Sequence, residues 1–141
     1  MQLDFIITGT PKPQSRPKFF RNRAGYMGTY SPKTDWFNIV YSEILKQKEE
    51  FYKGIKLKGE IEIHINFFMP IPSSLSNKKK KQLELNYHTK KPDIDNLIKA
   101  VLDAINYTNL WEDDSHIWKI VSEKRYSACP QCVITIITSE E

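Results

Sequence analysis

Cysteine is nearly absent from this sequence: Cys129 and Cys132 are the only two in 141 residues. Their C-x-x-C spacing across Pro130 and Gln131 supplies at most half of a tetrahedral zinc site, and His64, His88 and His116 are scattered without ligand spacing. The expectation is a plain hairpin turn in which Pro130 presets φ and both thiols stay reduced. Long apolar runs are also missing; none approaches the eighteen or so residues that a membrane helix needs. The start, Met1-Gln2-Leu3-Asp4, has neither a basic n-region nor a hydrophobic h-region, so a cytoplasmic protein with no membrane partner is expected. Internal repeats and low-complexity segments are absent as well. A chain of this length suits one domain that buries about two thirds of its unfolded surface.

Acids are missing from one stretch in particular. Residues 9–30 carry Lys12, Arg16, Lys18, Arg21 and Arg23 with no acid among them, interleaved with Phe19, Phe20, Tyr26 and Tyr30. Pro11, Pro13 and Pro17 oppose regular pairing, so a loop is expected. As a solvated loop it needs no partner; as a binding loop, arginines beside aromatics suit phosphate contacts and stacking on unpaired bases. The whole chain has 21 basic against 17 acidic residues, a formal +4, which permits a polyanion partner without requiring one. Lys78, Lys79, Lys80 and Lys81 form a second basic run, again open to two readings, a solvated face or a DNA contact.

The remaining pattern is mixed. Residues 3–8 read as a strand ending at Gly9. Ser31-Pro32 opens a helix to about Lys53, with Trp36, Phe37, Val40, Ile44 and Leu45 as its core stripe. Residues 60–68 alternate strictly between apolar and polar, a strand with one wet face that places His64 on the exposed side. A short helix is expected within residues 73–85, and strands at 117–127 and 132–138. Together these predict an α+β domain with a mixed sheet of about four strands and helices packed on one side.

The chain's centre is Lys91-Pro92-Asp93-Ile94-Asp95-Asn96-Leu97-Ile98-Lys99. Ile94, Leu97, Ile98, Val101, Leu102 and Ile105 recur at helical spacing, giving a helix to about Asn106 with one apolar stripe. On the plain reading Asp93 caps it and Asp95 pairs with Lys99 four residues on, an exposed contact contributing about 0.3–0.5 kcal/mol. Yet two acids two apart cannot both cap, and Asp113-Asp114 adds an acidic pair in a turn downstream. If these carboxylates converge, their mutual repulsion calls for a cation between them, and an all-oxygen ligand set favours Mg²⁺ or Mn²⁺.

The central motif, followed by Val101-Leu102-Asp103-Ala104-Ile105-Asn106 and then Asp113-Asp114-Ser115-His116-Ile117, resembles the RusA family of Holliday junction resolvases. Gly9-Thr10-Pro11-Lys12-Pro13 and Arg16-Pro17-Lys18 resemble that family's N-terminal pattern too. The resemblance implies a dimeric, Mg²⁺-dependent endodeoxyribonuclease of phage or prophage origin, acting on four-way junctions in DNA recombination and repair. It implies metal binding by Asp93, Asp95 and Asp114, with Asp113 completing the double acid and Lys99 as the site's basic residue. The expected partners are branched DNA and a second copy of the chain, with no small-molecule substrate. Phe68, Met69, Trp111 and Trp118 are candidates for the dimer seam or for the core. Two other readings stay open: a structure-specific nuclease acting on flaps or RNA, and a non-catalytic basic nucleic-acid module.

Overall fold

The computed structural model describes residues 1–14, 18–30 and 35–139. Its main sheet has four strands in the order β1 (Gln2–Thr8), β6 (Gln131–Thr138), β4 (Ile61–Pro70) and β5 (Ile117–Ser127). β6 runs antiparallel to both neighbours, whereas β4 and β5 are parallel. Helices α1 (Asp35–Tyr52) and α3 (Ile94–Asn106) supply the apolar layer that the sheet buries, as the α+β expectation requires. Alternation fixes which face turns inward. Along β4, Ile61, Ile63, Ile65, Phe67 and Met69 are buried and the residues between them are half-exposed. A slip of one residue would exchange that row for Glu62, His64, Asn66 and Phe68. Each fully buried Ile or Phe is worth about 1.5–3 kcal/mol, so the register is strongly held.

Both helices meet the sheet through a stripe at the expected period. α1 buries Trp36, Val40, Ile44 and Lys48, one per turn. Lys48 tolerates burial because its ammonium donates to the Thr108 carbonyl at 3.2 Å, which ties α1 to the loop after α3. α3 buries Leu97, Ala100, Val101, Ala104 and Ile105. Of the four bulky side chains that sequence leaves between seam and core, Met69 and Trp111 lie in the core, and Trp118 is 64% exposed.

Three expectations are corrected. Residues 9–30 are not all loop: β2 (Lys18–Arg21) and β3 (Met27–Tyr30) form an antiparallel hairpin. The prolines stand before it, and the Asn22 side chain accepts from the Ala24 and Tyr26 amides to shape its turn. The segment at Cys129 and Cys132 is no hairpin turn either, because β4 lies between β5 and β6. Residues 128–130 cross the end of β4, spanning two strand spacings, about 10 Å, which three extended residues can cover. Both cysteines are free, and burial pushes the Cys132 thiol well above its ordinary pKa. His64 is half-buried and bonded to Glu62 at 2.6 Å; this hydrogen bond is the main cause of that carboxyl's lowered pKa. The cap expected at Ser31-Pro32 lies outside the described residues, and the lysine-rich helix is shorter than its segment, α2 (Asn77–Leu83), capped by the Ser76 hydroxyl on the Lys79 amide.

Candidate active site

Asp93 occupies the N-cap position of α3 with an extended backbone, φ −68° and ψ 142°, yet its side chain makes no capping hydrogen bond. Asp95 and Lys99 form no ion pair among the described residues, and both are exposed. Neither local role that a helix surface would give these acids is therefore in use. Their carboxylates are available at a helix N-terminus, where the backbone dipole favours negative charge.

Lys124 determines where this helix start lies. Residues 85–88 run along the edge of β5, with the Leu85 amide on the Tyr126 carbonyl at 2.7 Å, the Tyr126 amide on Asn86 at 3.0 Å and the His88 amide on Lys124 at 3.0 Å. The Lys124 ammonium then donates to the carbonyls of Lys90 and Pro92, both at 2.7 Å, across a cis Lys91-Pro92 peptide. Asp93 follows directly. Sequence reading missed Lys124, and only its place in an edge strand, thirty residues from the motif, would have revealed it. On the other side, Gly9 turns the chain off β1 with φ 122°, a left-handed value that favours glycine. The Gln14 amide then reaches the Asn96 carbonyl at 3.3 Å, laying residues 10–14 beside the first turn of α3.

Between these walls lies an open groove of about 1140 Å³. Lys12, Lys91 and Lys99 line it with Asp93, so three cations face one carboxylate. Pro11, Pro13, Met69, Pro70, Ile71, Pro72 and Pro92 give it apolar walls, and Gln14, His88 and Asn96 polar edges. Asp95 is not among its lining residues.

The second acidic pair is placed at the other end of α3. Asp114 accepts from the Asn106 amide at 3.1 Å, and the same side chain's oxygen accepts from the Trp111 indole at 2.7 Å. Asn106 ends the helix, which at about 1.5 Å per residue puts this contact roughly 20 Å along the axis from Asp93. The loop between is held by Thr108, whose hydroxyl donates to Ile105 at 2.6 Å and accepts from the Leu110 amide at 3.3 Å. Asp113 opens a 3-10 turn (Asp114–His116) and accepts from the Ser115 amide. Hydrogen bonds from Ser115, side chain first and backbone second, hold its carboxyl below the ordinary value.

The donors are of the right kind for a hard divalent cation, but within one chain Asp93 and Asp95 stand at the start of α3 and Asp113 and Asp114 beyond its end. Among the described residues no three His, Cys, Asp or Glu side chains are grouped to hold a metal ion. Of the basic residues expected at DNA, Arg21 and Arg23 are exposed at the hairpin, and Lys78, Lys79 and Lys81 are exposed on α2 with Lys80 half-buried. Arg16 and the side chain of Lys18 lie outside the described residues.

The family model for endodeoxyribonuclease RusA matches residues 8–137, a span that contains the groove and both ends of α3. The chain is also 30% identical over 139 residues to the uncharacterized protein YqaN of Bacillus subtilis (strain 168), covering 95% of this chain and 94% of that one. No described helix is long and apolar enough to cross a membrane. A match that takes in the acids, the lysines and three of the four strands of the main sheet places this chain in the RusA endodeoxyribonuclease family.

Proposed function

We propose that the protein is a divalent-cation-dependent endonuclease that resolves four-way DNA junctions by paired cuts, working as a homodimer in recombination and repair. The observation that carries this reading is the groove itself, in which a carboxylate freed from capping faces three lysines. Lysines of this kind bind phosphates as point charges, and Asp93 among them would repel the same strand unless a cation lay between. Asp93, Asp95 and Asp114 would hold Mg²⁺ or Mn²⁺, which when bound activates a water and stabilises the leaving oxygen. Lys99, one turn after Asp95, holds the phosphate to be cut. Lys12 and Lys91 hold its neighbours on the same strand, and Arg21, Arg23 and the α2 lysines track the duplex arms.

Separation of the acids favours a shared site. Asp95, Lys99, Asp103 and Asn106 form one face along the whole of α3. A two-fold partner whose α3 ran antiparallel along that face would set Asp114 of the partner subunit beside Asp93 and Asp95. The adjoining half of β5 offers an apolar surface for such a seam. Residues 85–88 cover only its later part, and Trp118, Ile120 and Val121 are 64%, 43% and 38% exposed. A two-fold enzyme matches a substrate that needs two symmetric cuts.

The direct test incubates the protein with labelled four-way junction, flap and linear duplex, with and without Mg²⁺. Cleavage of the junction at two symmetric positions, only with the cation, is expected, and equal cleavage of the flap would replace resolvase by general structure-specific nuclease. Mixing Asp95→Asn with Asp114→Asn chains tests the shared site. In a mixed dimer one site then carries neither substitution, and cleavage returns; if each chain holds its own site, no activity returns.

A further inference from the structure

We propose that the groove beside Asp93 reads sequence, taking up one unpaired nucleobase next to the cut phosphate and hydrogen-bonding its edge through His88 and Gln14. This inference rests on the nuclease reading above and adds to it a source of sequence preference. His88 is only 9% exposed, and its ring packs tilted against Tyr126 with centroids 4.6 Å apart. Its backbone amide is fixed on the Lys124 carbonyl at 3.0 Å, yet the ring's Nδ1 is buried without a hydrogen-bond partner among the described residues. The Gln14 side-chain oxygen, across the groove, is buried and unpartnered too. A protein interior rarely leaves such atoms unsatisfied, and both belong to residues that line one groove, where a side-chain turn would offer them to a ligand's polar edge.

The rest of the lining selects the ligand. Pro11, Pro13, Pro70 and Pro72 with Met69 present flat apolar surface, suited to the face of an extruded base. Lys12, Lys91 and Lys99 suit the phosphates on either side of it. A cavity of about 1140 Å³ exceeds what one drug-sized ligand fills, leaving room for the base with its flanking nucleotides. At a branch point pairing and stacking are already interrupted, so drawing one base into the groove costs less there than in a duplex. Burial and the Lys124 charge both lower the His88 pKa, so the ring is neutral near pH 7 and carries one donor and one acceptor. The Gln14 side-chain oxygen, without a hydrogen-bond partner among the described residues, can accept from a donor on the base.

Two readouts test this on the full-length protein. In the first, junctions randomised around the crossover are cleaved with Mg²⁺ and sequenced. Wild type is expected to favour its best sequence over its worst by roughly ten-fold or more, the discrimination that a good base contact gives. Gln14→Leu and His88→Ala should each bring that ratio toward one. Gln14→Leu keeps the backbone bond to Asn96 and guards against a fold defect in the buried His88 variant. In the second, 2-aminopurine is placed at each position flanking the crossover, and binding is followed in EDTA, where nothing is cut. A fluorescence rise at one position, lost in Gln14→Leu, supports the pocket. A preference ratio unchanged in Gln14→Leu, or no position-specific rise on binding, overturns it. Failure of the nuclease reading shows separately, as a bound junction that Mg²⁺ never cleaves while the fluorescence signal persists.

Discussion

The two ends of α3 carry the same kind of residue in opposite conditions. At the N-terminal end Asp93 and Asp95 are exposed and, among the described residues, make neither a cap bond nor an ion pair. At the C-terminal end Asp114 is half-buried and held by Asn106, which is itself held by Trp111, and Asp113 is engaged with Ser115. The first end has carboxylates with strength unspent, at a position where the helix dipole and three lysines already favour negative charge. The second has one carboxylate aimed by a network that reaches into the core. In the proposed shared site the labour would divide: the fixed acid would set geometry, and the free pair would adapt to cation and phosphate.

The largest effect is expected where the carboxylates are free. Asp93→Asn and Asp95→Asn should each lower junction cleavage by on the order of a thousand-fold or more, since a lost ligand charge is worth several kcal/mol at the barrier. Binding should hold or tighten, because a charge that repels phosphate is gone. Thermal melting should scarcely move, as neither side chain bonds to the fold among the described residues. Gel shifts and single-turnover rates on the same junction check both halves. A large fall in melting temperature would make these acids structural and erase the contrast between the two ends.

Asn106→Leu probes the fixed end and should act on stability and rate together. It strands the Trp111 indole N–H, whose ring is 1% exposed, so unfolding free energy should fall by about 1–3 kcal/mol. It also releases Asp114, so cleavage should slow while junction affinity stays. Chemical denaturation and cleavage rates separate the two. A rate loss without a stability loss would mean that Asn106 touches the substrate rather than positioning Asp114.

Lys124→Met is expected to cost a similar amount of stability but to slow cleavage less, its effect being confined to the free end. Two hydrogen bonds from an ammonium to the Lys90 and Pro92 carbonyls are lost, costing about 1–3 kcal/mol, and the helix start loosens. Hydrogen exchange at residues 90–96 should quicken, with Asn106 and its surroundings unchanged. Exchange that quickened equally at both ends would show α3 responding as one rigid body, with no independent ends to compare.

How much of this was legible in sequence depended on whether the signal was local. The period of Ile94, Leu97, Val101 and Ile105 placed α3 and its end near Asn106, and the alternation from Ile61 to Phe67 placed β4 and its wet face. The hairpin at residues 18–30 was hidden by prolines that precede it rather than interrupt it. Strand order was hidden for a different reason: nothing in Cys129-Pro130-Gln131-Cys132 says that another strand lies between the two it joins. Lys124, Asn106, His88 and Gln14 acquire their roles from neighbours far along the chain. The motif singled out the acids without showing that α3 holds Asp93 and Asp114 apart.

The smallest effect is expected midway along the helix. Asp103 lies two turns after Asp95 on the face shared with Lys99 and Asn106, and it is half-buried without a hydrogen bond or ion pair among the described residues. It belongs to neither end. In the single chain it is closer to Asp114 than Asp95 is, so a site formed by local rearrangement along one helix would have to pass it. In an antiparallel pair of helices, by contrast, each site forms at the ends and the midpoint sits near the two-fold axis. Asp103→Asn should therefore leave the cleavage rate within about two-fold, the scale of an ordinary surface change of up to roughly 0.5 kcal/mol. Removing a charge near the axis, where it would face its own symmetry mate, should strengthen dimerisation slightly, which sedimentation at low concentration can measure. A rate loss as deep as that of Asp95→Asn, with the dimer unchanged, would place Asp103 among the ligands and put the site within one chain.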